Sequence, residues 1–189
     1  MVNYTLEEAK HIWVTSDTHF NHANIIKYCN RPFSSVEEMN ETLINNWNKV
    51  VSRDDTVYHL GDFAMGDKSL IPEILGRLNG HIHFIMGNHD NLNIMENLAI
   101  NSILETLTWE EVIRVEKKTI IMNHFPFGSL PDPLSNRPII QLYGHVHSTP
   151  NIPWLGLDNQ YDVGVDNNNF TPINLYELLQ KIHYKIHIK

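Results

Sequence analysis

Cysteine is almost absent: Cys29 is the only one in 189 residues, so no internal disulfide can staple the chain and a reducing compartment is allowed. Positive charge is scarce as well, with 14 Lys and Arg against 22 Asp and Glu and a formal charge of −8, which opposes broad binding along a phosphate backbone. No apolar run approaches the roughly 20 residues needed to cross a bilayer, so no membrane association is expected. The first residues, "MVNYTLEEAK", are acidic where a signal peptide needs a basic start followed by an apolar stretch. A cytoplasmic location is the expectation. Low-complexity tracts, internal repeats and linker-like composition are also missing, which points to a single domain over residues 1–189, long enough to bury a core of its own.

Histidine, by contrast, is abundant. There are 12, and five of them sit in short motifs beside Gly, Asp or Asn, which asks for one shared explanation. The hydrophobic pattern supplies the frame. His11–Asp17 reads as a first strand. "SSVEEMNETLINNWNKVV" opens with a capping box, Ser35 to Glu38, and continues as a helix whose Val36, Met39, Leu43, Trp47 and Val50 form one apolar stripe. Thr56–Asp62 reads as a second strand, Ser69–Asn79 as a helix and His81–Met86 as a third strand ending in "GNHD". Trp109–Val115 and Thr119–Asn123, divided by "EKK", read as a hairpin in a second sheet. Pro138–His145 and Tyr161–Val165 supply two more strands, and "NLYELLQKI" closes as a helix with Asn174 and Glu177 at capping-box spacing. The fold class is α/β.

The polar motifs all follow apolar runs. Asp17 and His19 come after the first strand, Asp62 after the second, Asn88 and His89 after the third, and His124 and the pair His145/His147 after later ones. In open α/β sheets the ligand site lies beyond the carboxyl ends of the strands, so these side chains are expected to converge. The i, i+2 spacing of Asp17 with His19, and of His145 with His147, places each pair on one strand face. Asp17, His19, Asp62, Asn88, His124, His145 and His147 make seven N and O donors. That is too many for one tetrahedral ion and suits two, with one carboxylate bridging. Two divalent ions, offset by two carboxylates and a bridging hydroxide, leave a surplus of about +1 that attracts phosphate. Neutral Asn88 preserves that surplus.

With "DTH" (17–19), "GD" (61–62), "GNHD" (87–90), His124 and "GHVH" (144–147) in this order, the chain resembles the calcineurin-like metallophosphoesterases over residues 11 to about 182, in particular small bacterial and phage members without an added domain. The resemblance implies a four-layer α/β/β/α sandwich of two mixed sheets flanked by helices. Carried over position by position, it implies a first metal held by Asp17, His19, Asp62 and His147, and a second by Asp62, Asn88, His124 and His145, with Asp62 bridging. His89 would face the substrate as proton donor or charge stabiliser, and a metal-bound hydroxide would be the nucleophile. The cofactors would be two divalent transition-metal ions, Mn first, with Fe, Ni, Co or Zn also accepted by such N/O sites.

The expected substrate is a small phosphoester, with diesters such as nucleotides favoured by resemblance. A nuclease acting on nucleic-acid ends is the alternative, opposed by the −8 charge. A non-catalytic scaffold of the same fold is the third reading, opposed by the intact His89. His22, three residues after His19, is a candidate to touch the substrate or to support the metal ligands from behind, and Asn24 and Arg31 share its segment. The four prolines between His124 and Tyr143 suggest a stiff pocket wall. There, Phe125, Phe127 and the later Trp154 are candidates to stack on a base, and Arg137 to hold a phosphate oxygen. His59 is expected to pack inside the fold, Cys29 to act as a small buried hydrophobe, and His81, His83, His183 and His187 to have no role.

Overall fold

The computed structural model describes residues 1–131, 136–147 and 157–187; Trp154 and the side chains of His183 and His187 lie outside the described residues. In chain order the strands are β1 (Val2–Tyr4), β2 (Ile12–Thr15), β3 (Thr56–His59), β4 (His81–Ile85), β5 (Thr106–Thr108), β6 (Glu110–Val115), β7 (Lys118–Asn123), β8 (Ile139–Tyr143), β9 (Gln160–Asp162) and β10 (Ile173–Asn174). The helices are α1 (Ala23–Tyr28), α2 (Val36–Val50), α3 (Ile71–Arg77), α4 (Leu92–Ile100) and α5 (Leu175–His187). Two five-stranded sheets result, ordered β1-β6-β7-β8-β9 and β10-β2-β3-β4-β5. Both are mixed. In the first, only β6 and β7 run antiparallel, and in the second only β10 does.

Alternation along the strands sorts the side chains into two cores. Val57, Ile82 and Phe84 point to the outer face of the second sheet, where they meet Met39, Leu43 and Trp47 of α2, Ile74 of α3 and Met95 of α4. Their neighbours Tyr58 and Ile85 point the other way, toward Ile113, Ile120, Met122, Ile140 and Leu142 of the first sheet. α5 joins this second core through Leu175, Leu178, Leu179 and Ile182. The two mixed sheets flanked by helices expected from the sequence are therefore present.

The differences from the sequence reading lie in short elements. β1, β5 and β10 span two or three residues, too few for a period to register. α4 begins at an Asn91 side chain that accepts from Ile94 N, a cap hidden in an asparagine-rich stretch. In α2 the Ser35 side chain accepts from Glu38 N at 3.1 Å as expected, but the Glu38 carboxylate turns back to the N–H of Ser34, one residue earlier than a capping box requires. His59 packs as expected. It lies flat on Phe84 with ring centroids 5.3 Å apart, accepts from Gly61 N at Nδ1, and so donates from Nε2 to the Thr18 hydroxyl. His81 meets Glu105 at the surface, and His83 bonds Thr106 and stacks on Tyr58.

Candidate metal centre

β2, β3 and β4 run parallel, so the turns that follow them open on one edge of the sandwich, and β7 and β8 deliver theirs to the same edge. The ladder continues past the strands: Asp17 N donates to Gly61 O at 3.0 Å, His19 N to Asp62 O at 3.0 Å, and Gly144 N to His124 O at 3.0 Å. The paired residues do not project from strand faces, which corrects the expectation from i, i+2 spacing. Asp17, His19, Asp62, His145 and His147 all adopt left-handed backbone, with φ from 46° to 73°. Asp and His tolerate this region better than most residues, and the surrounding hydrogen bonds hold them in it.

Two groups of three donors form there: Asp17, His19 and His147 in one, Asp62, His124 and His145 in the other, each with its ligand atoms within 4.8 Å of one another. Asp62 Oδ2 lies between them, 3.6 Å from His19 Nε2 and 3.4 Å from His124 Nε2. His124 Nε2 is also 3.1 Å from Asn88 Oδ1, which brings the seventh candidate into the second group. His89 is half-exposed, with Nε2 3.9 Å from Asp62 Oδ2 and its ring 5.6 Å from that of His19. His22 also arrives, its Nδ1 3.4 Å from His19 Nδ1.

The donors fit a cation. Asp17 Oδ1 and His19 Nε2 are buried and have no hydrogen-bond partner, a costly arrangement unless something positive is bound. Burial pushes the Asp17 carboxyl up to about 6 against the pull of His124 and His147, and drives the His19 ring down to about 2. Burial also acts to raise Asp62, but its bond with His124 and the His89 N–H outweigh it and hold that carboxyl well below the usual range. A third group, Cys29, His147 and Asp166, has metal-like spacing too. It is already occupied by a cation of the protein itself, because Arg31 Nε and Nη2 sit 2.8 and 2.9 Å from the two Asp166 oxygens.

Of the two roles open to Arg31, the structure places it in the supporting one: it is buried, and Nη1 and Nη2 also donate to the carbonyls of Thr18 and Asp17, so it braces the loop. Asn24 and Arg137 are exposed, and Phe127 is pinned to the first sheet through its backbone and Gln141. Phe125 stands at the rim, 47% exposed, with its ring 4.6 Å from that of His145. Two residues escaped the sequence reading. Asp90 accepts from the N–H groups of Asp62, Phe63 and Gly87 at 2.8–3.0 Å and fixes the turn that presents Asp62; its signal was its place directly after His89. Asp166 holds His147 Nδ1 at 2.8 Å, and only the glycine of "VGVD" marked its turn.

Glycines make the close approach of these turns feasible. A Cβ on Gly144 would lie 2.1 Å from Ser16 Oγ and 2.3 Å from Asp17 Oδ2. Gly144→Ala is accordingly expected to destabilise the metal-free protein by about 1–3 kcal/mol, typical of overpacking, and to lower its melting temperature by roughly 2–4 °C per kcal/mol for a chain of this size. Thermal denaturation checks this; a variant that melts with the wild type contradicts the packing argument.

Two mixed sheets share an edge lined by histidines and carboxylates, an arrangement suited to holding divalent cations. The chain belongs to the calcineurin-like phosphoesterase family, whose profile matches residues 10–184. An uncharacterized protein of Methanocaldococcus jannaschii is 63% identical over 81 residues, an alignment that covers 42% of this chain and 46% of that protein, so the chain spans about half the length of this relative. The gene 66 protein of Mycobacterium phage L5 is 28% identical over 197 residues, covering 90% of this chain and 95% of its own length. Among solved structures, a protein of unknown function from Aquifex aeolicus superposes with a TM-score of 0.70 at 26% identity, covering 89% of this chain and 97% of that one. Among the described residues, no helix is long and apolar enough to cross a membrane.

Proposed function

We propose that the chain hydrolyses small phosphodiesters, nucleotide diesters among them, with two divalent ions, Mn²⁺ the first to test. The observation that carries this reading is the pair of three-donor groups with Asp62 Oδ2 between them. Asp17, His19, Asp62 and His147 would hold one ion, and Asp62, Asn88, His124 and His145 the other. When bound, such ions supply Lewis-acid charge and an activated water.

The remaining work falls to the chain's own side chains. Half-exposed His89, 3.9 Å from Asp62 Oδ2, stands where it can meet a phosphate ester and pass a proton from Nε2 to a departing alkoxide. Its backbone N–H donates to Asp62 Oδ1 at 2.9 Å, which fixes where the ring starts from. His22 lies on the His19 side and offers a polar contact to a phosphate oxygen. Phe125, exposed beside His145, offers an aromatic face to the alcohol part of a diester.

A chain of −8 net charge gives a long polyanion few cationic contacts, whereas a small diester needs only the site itself. The Mn²⁺-loaded protein is expected to hydrolyse bis-p-nitrophenyl phosphate and a nucleotide diester while acting weakly on long DNA, in a side-by-side assay at about 0.15 M salt. Efficient degradation of long DNA or RNA without turnover of small diesters would favour the nuclease instead, and no turnover of any ester would favour the scaffold.

A further inference from the structure

His147 is held by two chain segments far from it in sequence. Its Nδ1 is 2.8 Å from Asp166 Oδ2, which leaves Nε2 as the nitrogen facing Asp17 Oδ1, 3.8 Å away. Asp166 is itself held: Arg31 Nε meets Oδ1 at 2.8 Å and Nη2 meets Oδ2 at 2.9 Å, a two-pronged bond between buried partners. The same guanidinium donates to Asp17 O at 2.8 Å and Thr18 O at 2.9 Å, bracing the left-handed turn that carries Asp17 and His19. The turn bearing Asp166 is docked on that loop as well, with Val165 N donating to Ser16 O at 3.0 Å.

From this geometry we propose that Asp166 is a positioning residue for His147, and that Arg31 holds Asp166 in place so that one buried link sets the distance between the two halves of the first metal group. The proposal rests on the metal assignment above. An outer carboxylate on the far ring nitrogen fixes which nitrogen a histidine presents and in which direction. A free carboxylate beside His147 and Cys29 would compete for the ion. Arg31 removes that competition by neutralising Asp166 while leaving it able to accept from Nδ1. The structure thus separates two tasks that one aspartate cannot perform together, binding the ion and aiming the ligand.

The test is titration of the metal-free protein with Mn²⁺ by calorimetry, with melting curves recorded alongside. Wild type is expected to show two binding events. Asp166→Asn keeps the shape but has one acceptor oxygen where Arg31 Nε, Arg31 Nη2 and His147 Nδ1 together use two, so its amide N–H groups must face Arg31 or His147. It is expected to weaken one event by about 10–100-fold, the usual cost of losing an outer-shell partner, leaving the other within about twofold. Arg31→Gln, which frees Asp166 but preserves its reach to Nδ1, should weaken the same event less, and gives a second readout where the first variant folds poorly. Wild-type affinity at both sites in folded Asp166→Asn overturns the role. So does parallel weakening of both events in step with a lowered melting temperature, which marks a purely structural part. Fewer than two events in wild type overturn the dinuclear assignment and the role with it.

Discussion

Asp62→Asn is expected to leave fewer than one ion per chain and to lower kcat/KM by more than about 10³-fold, beyond the 10–100-fold typical of outer-shell changes. The reason is the geometry of its two oxygens. Oδ1 accepts from His89 N at 2.9 Å, so an asparagine that keeps this bond must point its amide nitrogen to the Oδ2 position. There it would face His19, His124 and His89 Nε2, 3.4–3.9 Å away, and place two N–H donors where a bridging anion is required. The fold should persist, because the turn is held by backbone N–H groups on Asp90 rather than by the Asp62 side chain. Elemental analysis and circular dichroism on one preparation separate the effects. Two ions per chain with near-normal turnover would rule out Asp62 as the bridge.

His89→Ala should behave in the opposite way, with both ions kept and kcat reduced by roughly 10²–10⁴-fold, the range for a lost proton donor. The bond from residue 89 to Asp62 Oδ1 is made by the backbone and survives the substitution. Only the half-exposed ring is lost. The deficit should be largest for alkyl esters and smallest for p-nitrophenyl esters, whose leaving group scarcely needs a proton. A deficit of the same size across leaving groups of very different pKa would assign His89 to charge stabilisation in place of proton transfer.

The longer strands and the gathering of the seven polar side chains at one edge were legible in the sequence, because apolar runs ending in Asp, Asn or His leave a local trace. The left-handed geometry of those donors left none: Asp17 and His19 look like any i, i+2 pair until the Gly61 and Asp62 carbonyls that hold them are known. The bracing was hidden for a different reason. Arg31 and Asp166 are 135 positions apart, and Gly144 shows its purpose only beside Ser16 and Asp17. Pairings of that span carry no periodicity. Arg31 stands in a polar segment, and nothing beside it in sequence shows that its charge is matched by Asp166.

The bond from His145 N to Asp17 Oδ2 closes a loop of 128 residues. On a ribosome adding about 5–20 residues per second, Asp17 and His19 would wait roughly ten seconds before His145, His147 and Asp166 emerge. During that interval the first group gains Asp62 but still lacks His147, and the left-handed turn that aims Asp17 and His19 still lacks its Arg31–Asp166 brace. Long-range closure of this kind comes late in folding. On the proposed assignment, neither metal group is complete until the chain is nearly finished, and a nascent or truncated product ending before residue 145 would lack one histidine from each.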